Sequence, residues 1–205
     1  PSRAVSARNV TYGELGDREI VGFLARPAEH EGPLPGLIVI HEWWGLNDNI
    51  RAMAEQVAGH GYVALAVDLY GGKIAQNAVE ARELVGLSMK NSAAIEENLR
   101  QAYSYLTTEA GAVRVGTLGW CFGGGWSLNT ALLMSADIDA TVIYYGRLVT
   151  DPEQLNALGM PVLGIFGSED RGIPLESVNA FDAAMRELGK DVTIKVYEGA
   201  RHAFA

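Results

Sequence analysis

The sequence predicts an α/β protein with a mostly parallel central sheet flanked by helices on both faces, arranged as a three-layer sandwich. Three observations lead there. Short apolar runs recur without alternation, as in strands buried on both faces. Stretches with apolar residues at helical spacing separate them. Glycines and prolines fall between the two kinds of segment, and strand–helix alternation of this sort builds parallel sheets.

In chain order, Glu19 to Ala25 reads as an early strand, and a turn at Pro33 to Gly36 introduces the apolar run Leu37 to Ile40. Asn47 or Asp48 can cap a helix carrying Ile50, Met53, Ala54 and Val57, which Gly59 and Gly61 end. Tyr62 to Val67 is a second buried strand, ending at Asp68. From about Val79 the pattern turns helical, its clearest stripe being Ile95, Leu99, Ala102, Tyr103 and Leu106. Val113 to Leu118 is a third strand; it runs into the glycine-rich segment Gly119 to Gly125, and a helix follows through Leu132 and Leu133. Ala140 to Tyr145 and Pro161 to Phe166 are further strands, and Val178, Phe181, Met185 and Leu188 mark an amphipathic helix. Val192, Ile194 and Val196 alternate with polar residues, as in a strand near a sheet edge. In open sheets of this class, active groups sit on loops at the carboxyl ends of strands. The loops after Ile40, Val67, Leu118, Tyr145, Phe166 and Val196 are therefore the ones to inspect.

The 205 residues suit one domain and suffice for an apolar core without staples. Sixteen Lys and Arg against twenty-five Asp and Glu leave a net charge of −9, which argues against nucleic acid or an anionic membrane as a partner. No apolar run is long enough to span a membrane, and Pro1 to Val10 lacks the apolar centre of a signal peptide. The single cysteine, Cys121, cannot close an internal disulfide and points to a reducing, cytoplasmic setting. A small-molecule substrate and a monomer or homodimer are the expected partners.

The loop after Leu118 is the most informative. Gly119-Trp120-Cys121-Phe122-Gly123, set between strand and helix, is a nucleophile elbow with sulfur in place of serine oxygen. A sharp turn there forces Cys121 into a crowded backbone conformation, which Gly119 and Gly123 accommodate by lacking side chains. The new helix aims amides and the positive end of its dipole at the sulfur, favouring thiolate, and the Phe122 amide can donate to an oxyanion. Other glycine-loop readings fail: no Gly-Lys-Ser/Thr is present, no dinucleotide fingerprint is met, and a cysteine phosphatase would need arginine where Ser127 stands.

A cysteine nucleophile needs a base and an orienting acid. His30 and His60 read as surface residues. Only His202, in Gly199-Ala200-Arg201-His202-Ala203-Phe204, lies after the elbow, as the order nucleophile, acid, histidine requires. The acid falls in Gly167-Ser168-Glu169-Asp170, with Asp170 preferred and Glu169 in reserve. In His41-Glu42-Trp43-Trp44-Gly45, the Trp43 amide sits where elbow hydrolases supply a second oxyanion donor, and a buried Glu42 beside a thiol can accept its proton or hold it neutral. The zincin pattern is broken at Gly45, so no metal is expected.

These segments closely resemble the dienelactone hydrolase family, a branch of the α/β-hydrolase fold, over nearly the whole chain. The matching pieces are His41 to Asn47, Gly61 to Tyr70, Gly119 to Gly124, Asp170 before Pro174, and Gly199 to Phe204. The resemblance implies a triad of Cys121, His202 and Asp170, with Glu42 contacting the resting thiol and the Trp43 and Phe122 amides forming the oxyanion hole. It implies hydrolysis of an ester or enol lactone, such as dienelactone, through a thioester, with no cofactor. Two departures stand out. The family's substrate-binding arginine after the Asp-Leu-Tyr strand is replaced here by Gly71-Gly72-Lys73, leaving Lys73 as a point charge. A second arginine and a final helix follow the histidine segment in the family, whereas this sequence ends at Ala205. Trp44 and Trp126 are candidates for an apolar substrate wall. The competing expectations are an acyl-thioesterase using the same triad, or a catalytically silent thiol redox or binding module on the same fold.

Overall fold

In the computed structural model, residues 3–205 are described; the reading of Pro1 and Ser2 lies outside them. The chain divides into two compact units, one ending at Gly116 and the other beginning at Thr117.

In the first unit the strand order is β1-β2-β4-β3. β1 (Val5–Leu15) pairs antiparallel with β2 (Arg18–Pro27), which pairs antiparallel with β4 (Val63–Val67). β4 pairs parallel with β3 (Gly36–Ile40), in the register Ile38 to Leu65. Every residue of β4 is buried, as the unbroken apolar run requires. β1 is the element the sequence hides: it is an edge strand of mostly exposed, mixed residues, with Tyr12 its buried anchor. Between β3 and β4, α1 (Asp48–Gly59) starts at Asn47, whose side chain accepts the Ile50 amide at 3.1 Å. Such a cap contributes about 1 kcal/mol. α1 packs on β2 and β4 through Ile50, Ala54 and Ala58.

The helical stretch beginning near Val79 is two helices, α2 (Ala78–Lys90) and α3 (Ser92–Thr108). The break falls at Asn91, whose side chain donates to the Leu87 carbonyl at 3.0 Å; this local bond competes with helix continuation. α3 buries the stripe Ile95, Leu99, Ala102 and Leu106, adding Asn98 to it, and packs on β1, β3 and β4. Asn98 has a partner on each side. The Tyr12 hydroxyl donates to its Oδ1 at 2.6 Å, and its Nδ2 donates to the Asp68 carbonyl at 2.8 Å. Asp68 in turn donates its amide to the Tyr12 hydroxyl and receives the Tyr70 and Gly72 amides on its carboxylate.

β5 (Val115–Trp120) is buried throughout. In the second unit it is followed in sheet order by β6 (Ala140–Tyr144), β7 (Val162–Gly167) and β8 (Val192–Tyr197). β6 with β7 and β7 with β8 are parallel pairs. α4 (Phe122–Leu133) packs on β6, and α6 (Leu175–Glu187) packs on β8. A short helix unmarked by periodicity, α5 (Pro152–Leu155), is capped by Asp151. Among the described residues no helix is long and apolar enough to cross a membrane.

Asn98→Ala should lower unfolding stability by about 1–3 kcal/mol, because it strips the buried Asp68 carbonyl and the Tyr12 hydroxyl of a partner each. Urea denaturation against the parent chain measures this.

Candidate active site

β5 ends at Trp120 and α4 begins at Phe122, so one residue, Cys121, makes the whole turn. It sits at φ 56°, ψ −115°, a conformation that side-chain-bearing residues avoid at a cost of about 1–3 kcal/mol. Backbone contacts on both sides hold it there. The Cys121 amide donates to the Tyr144 carbonyl at 3.0 Å, and the Cys121 carbonyl accepts from Gly125 at 3.2 Å. A Cβ on Gly119 would lie 2.1 Å from the Gly123 carbonyl oxygen, so β5 can meet α4 this closely only with glycine there. A Cβ on Gly146, just beyond β6, would lie 2.2 Å from the Gly124 carbonyl carbon. The sulfur thus stands at the first turn of a twelve-residue helix, where the dipole favours negative charge.

The acid and the histidine come from adjacent strand ends. β7 and β8 stay in parallel register to Gly167 and Tyr197, and the zip continues into the loops: Ser168 donates to Tyr197, Glu169 to Ala200, and Gly199 to the Ser168 hydroxyl. A Cβ at Gly167 would lie 2.3 Å from the Ala200 carbonyl oxygen, which keeps these loops in contact. Asp170 is buried and turns its Oδ1 to the Gly172 and Ile173 amides at 2.7 and 3.0 Å. Its Oδ2 lies 2.7 Å from His202 Nδ1, and His202 Nε2 lies 3.1 Å from Cys121 Sγ. The sulfur contact is the main cause raising the His202 pKa to about 9; partial burial opposes it, and Asp170 adds to it. Through neutrality the ring therefore carries its proton and donates from both nitrogens, to the carboxylate and to sulfur. Glu169 points elsewhere, 3.5 Å from Arg201.

A cavity of about 790 Å³ opens beside this line, with Asp170, Arg171, Gly172, Pro174, Arg201 and His202 among its walls. It offers room for a small acyl group and direct access to the imidazole.

The candidates of the first unit stand at the carboxyl end of β3. Glu42, Trp43 and Trp44 are half-buried, and the two indoles meet edge to face at 4.9 Å. The Arg82 guanidinium lies 5.8 Å from the Trp43 ring centre. The loop holding Lys73 is tied to them: Ala75 donates to the Trp44 carbonyl, and Gly45 at φ 96° leaves space for the Lys73 carbonyl. Lys73 also lines a cavity of about 320 Å³ with Arg18, Asp68 and Asn98. Trp126, on α4 in the second unit, is buried edge-on to Phe122 at 6.5 Å. His41 is wholly buried; it accepts the Leu69 amide at Nε2 and donates from Nδ1 to the Glu42 carbonyl, and burial pushes its pKa down, so it is a neutral structural clasp. His30 and His60 are exposed. Among the described residues no cluster of His, Cys, Asp and Glu is arranged to hold a metal.

Sequence reasoning passed over Tyr145. The strand expected to include it stops at Tyr144, and Tyr145 leaves it at φ 35°, fully buried, with its ring edge-on to His202 at 5.1 Å.

A family model described as the dienelactone hydrolase family matches residues 20–205. A Salmonella typhimurium protein named "Putative carboxymethylenebutenolidase" is 33% identical over 218 residues, covering 100% of this chain and 80% of the relative. A solved structure from Klebsiella pneumoniae, described as a "Putative Dienelactone Hydrolase", matches with a TM-score of 0.87 at 28% identity, covering 98% of this chain and 89% of the other. A "Dienelactone Hydrolase-like Promiscuous" phosphotriesterase from metagenomic libraries matches with a TM-score of 0.87 at 26% identity, covering 98% and 84%.

Because folding raises the His202 pKa from 6.5 to about 9, its contribution to stability is fully present below pH 6.5 and is lost as pH rises through 9. The stability difference between the parent and His202→Gln should therefore shrink between pH 6.5 and pH 9, read by thermal melts at stepped pH.

Proposed function

The chain belongs to the dienelactone hydrolase family, on the α/β-hydrolase fold, and we propose that it cleaves small esters or enol lactones by covalent catalysis at Cys121. Hydrolase activity of the dienelactone hydrolase type goes with that membership. The assignment of its chemistry rests on one observation: the unbroken line from Asp170 through the His202 ring to sulfur, at 2.7 and 3.1 Å.

In this reading the Cys121 thiolate attacks the acyl carbon, a C–S bond forms, and the carbonyl oxygen takes the negative charge. The Phe122 amide, at the first position of α4, is the oxyanion donor on the elbow. The tetrahedral species collapses with cleavage of the C–O bond, and imidazolium gives its Nε2 proton to the leaving oxygen. Water then attacks the thioester, His202 takes its proton, the C–S bond breaks and the acid departs. Asp170 holds the ring's Nδ1–H throughout, fixing tautomer and orientation. Thiolate is itself a good leaving group, so forward collapse demands a leaving group at least as good. An enolate meets that demand better than an alkoxide or amine. The family pattern adds two roles in the first unit: the Trp43 amide as second oxyanion donor, and Glu42 as the carboxylate that receives or holds the thiol proton at rest. Lys73, Trp44 and Trp126 belong to substrate binding in the same reading.

Cys121→Ala should reduce turnover of an activated aryl ester by about a thousandfold or more, with its fold intact. Mass spectrometry of the parent chain under substrate excess should show one acyl group on Cys121. Turnover unchanged in Cys121→Ala overturns the assignment. Side-by-side rates on an enol lactone and an acyl thioester separate the lactonase from the thioesterase.

A further inference from the structure

Among the described residues, three that are not glycine occupy the left-handed region of backbone space: Cys121 at φ 56°, Tyr145 at φ 35° and Ala203 at φ 59°. Cys121 is the elbow, and Ala203 is an exposed residue of the loop that carries His202. Tyr145 is the third, and the reaction as written gives it no task. Strain of about 1–3 kcal/mol at a buried aromatic residue persists only where its surroundings enforce it.

Those surroundings are the site itself. The residue before Tyr145 accepts the Cys121 amide through its carbonyl, and the residue after it, Gly146, lies in direct backbone contact with Gly124 of α4. The Tyr145 amide donates to the Ile165 carbonyl at 2.8 Å, so β7, which leads to Asp170, is tied to the same point. The twisted backbone then carries the phenol ring out of the strand plane to His202, at 5.1 Å between centres and 61° between planes. Phe204 supports the tyrosine ring from another direction at 5.4 Å. His202 needs such support. It sits in a loop after the last strand, and its side chain is 37% exposed. Rotation of its ring would break the Asp170 and Cys121 contacts together.

We propose that Tyr145 is the positioning residue for His202: its ring edge sets the imidazole plane, and its strained backbone ties that plane to the nucleophile elbow. This rests on the reading of Cys121 and His202 as a reacting pair. It does not depend on which ester is cleaved.

The ionisable groups against His202 are Cys121 from the elbow, Asp170 from the β7 loop and the Tyr145 phenol, with Arg171, Arg201 and Glu169 on the same cavity wall. All but the phenol remain in the Tyr145 variants that test the proposal. Tyr145→Leu should lower kcat by about tenfold to a hundredfold with little change in KM. It should also move the alkaline inflection down from about 9 toward 6.5, as the ring loses its partners. Tyr145→Phe should keep both near the parent values. Alkylation of Cys121 by iodoacetamide at stepped pH reads the sulfur–imidazole pair with no ester present. A loss of ester turnover as the true activity therefore leaves that measurement standing. If Tyr145→Leu does not fold, Phe204→Leu loosens the tyrosine ring from its other side and should shift the alkylation profile in the same direction by a smaller amount. A folded Tyr145→Leu or Phe204→Leu with the parent's alkylation profile overturns the proposal, and so does a Tyr145→Phe variant as impaired as Tyr145→Leu.

Discussion

Everything at the site depends on how closely the backbone of α4 approaches the strands beside it. Cys121 could relax into an ordinary conformation if β5 and α4 stood a little further apart. They do not, because Gly119 accepts the Gly123 carbonyl and Gly146 accepts the backbone of Gly124 at distances that exclude any Cβ. Strain at Cys121 is therefore stored in packing, which resists small displacements. The return is geometric: the sulfur sits on a rigid point at a helix start, with the imidazole 3.1 Å away.

Asp170 and His202 are held by a different device. They come from loops with no regular structure, yet their spacing is fixed by strand register. Parallel pairing of β7 and β8 runs to Gly167 and Tyr197, and backbone bonds carry the alignment on to Glu169 and Ala200. The Gly172 and Ile173 amides then aim the buried Asp170 carboxylate. What register cannot fix is rotation of the half-exposed imidazole, and the aromatic contact from Tyr145 acts on that remaining freedom.

Much of this was legible in the residues. The buried strands announce themselves because both faces are apolar, and the elbow because glycine at Gly119 and Gly123 has few uses other than close approach. His202 follows from chain order once the elbow is placed, and the same order narrows the acid to Glu169 or Asp170, with Asp170 preferred. The parts that were hidden share a physical cause. β1 is mostly exposed, with Tyr12 its one fully buried residue, so no hydrophobic period marks it. The break at Asn91 depends on a side-chain bond to Leu87 that competes with an otherwise continuous helical pattern. Tyr145 reads as one more apolar strand residue. Its role arises from a positive φ imposed by neighbours distant in sequence, and no local pattern encodes that.

In the proposed reaction, pairing a sulfur nucleophile with a histidine whose pKa is raised to about 9 has a further consequence for selectivity. At neutral pH the proton resides on the ring, facing the sulfur that the proposed attack would use. The imidazolium is correspondingly a weak acid toward the departing oxygen. A poor leaving group would need that proton early and would not get it, so the tetrahedral species would return to thiolate and substrate. A delocalised leaving group carries its own charge and takes the proton late. In the proposed reaction, the one proton that His202 passes to the leaving oxygen thus favours activated acyl compounds over those with poor leaving groups.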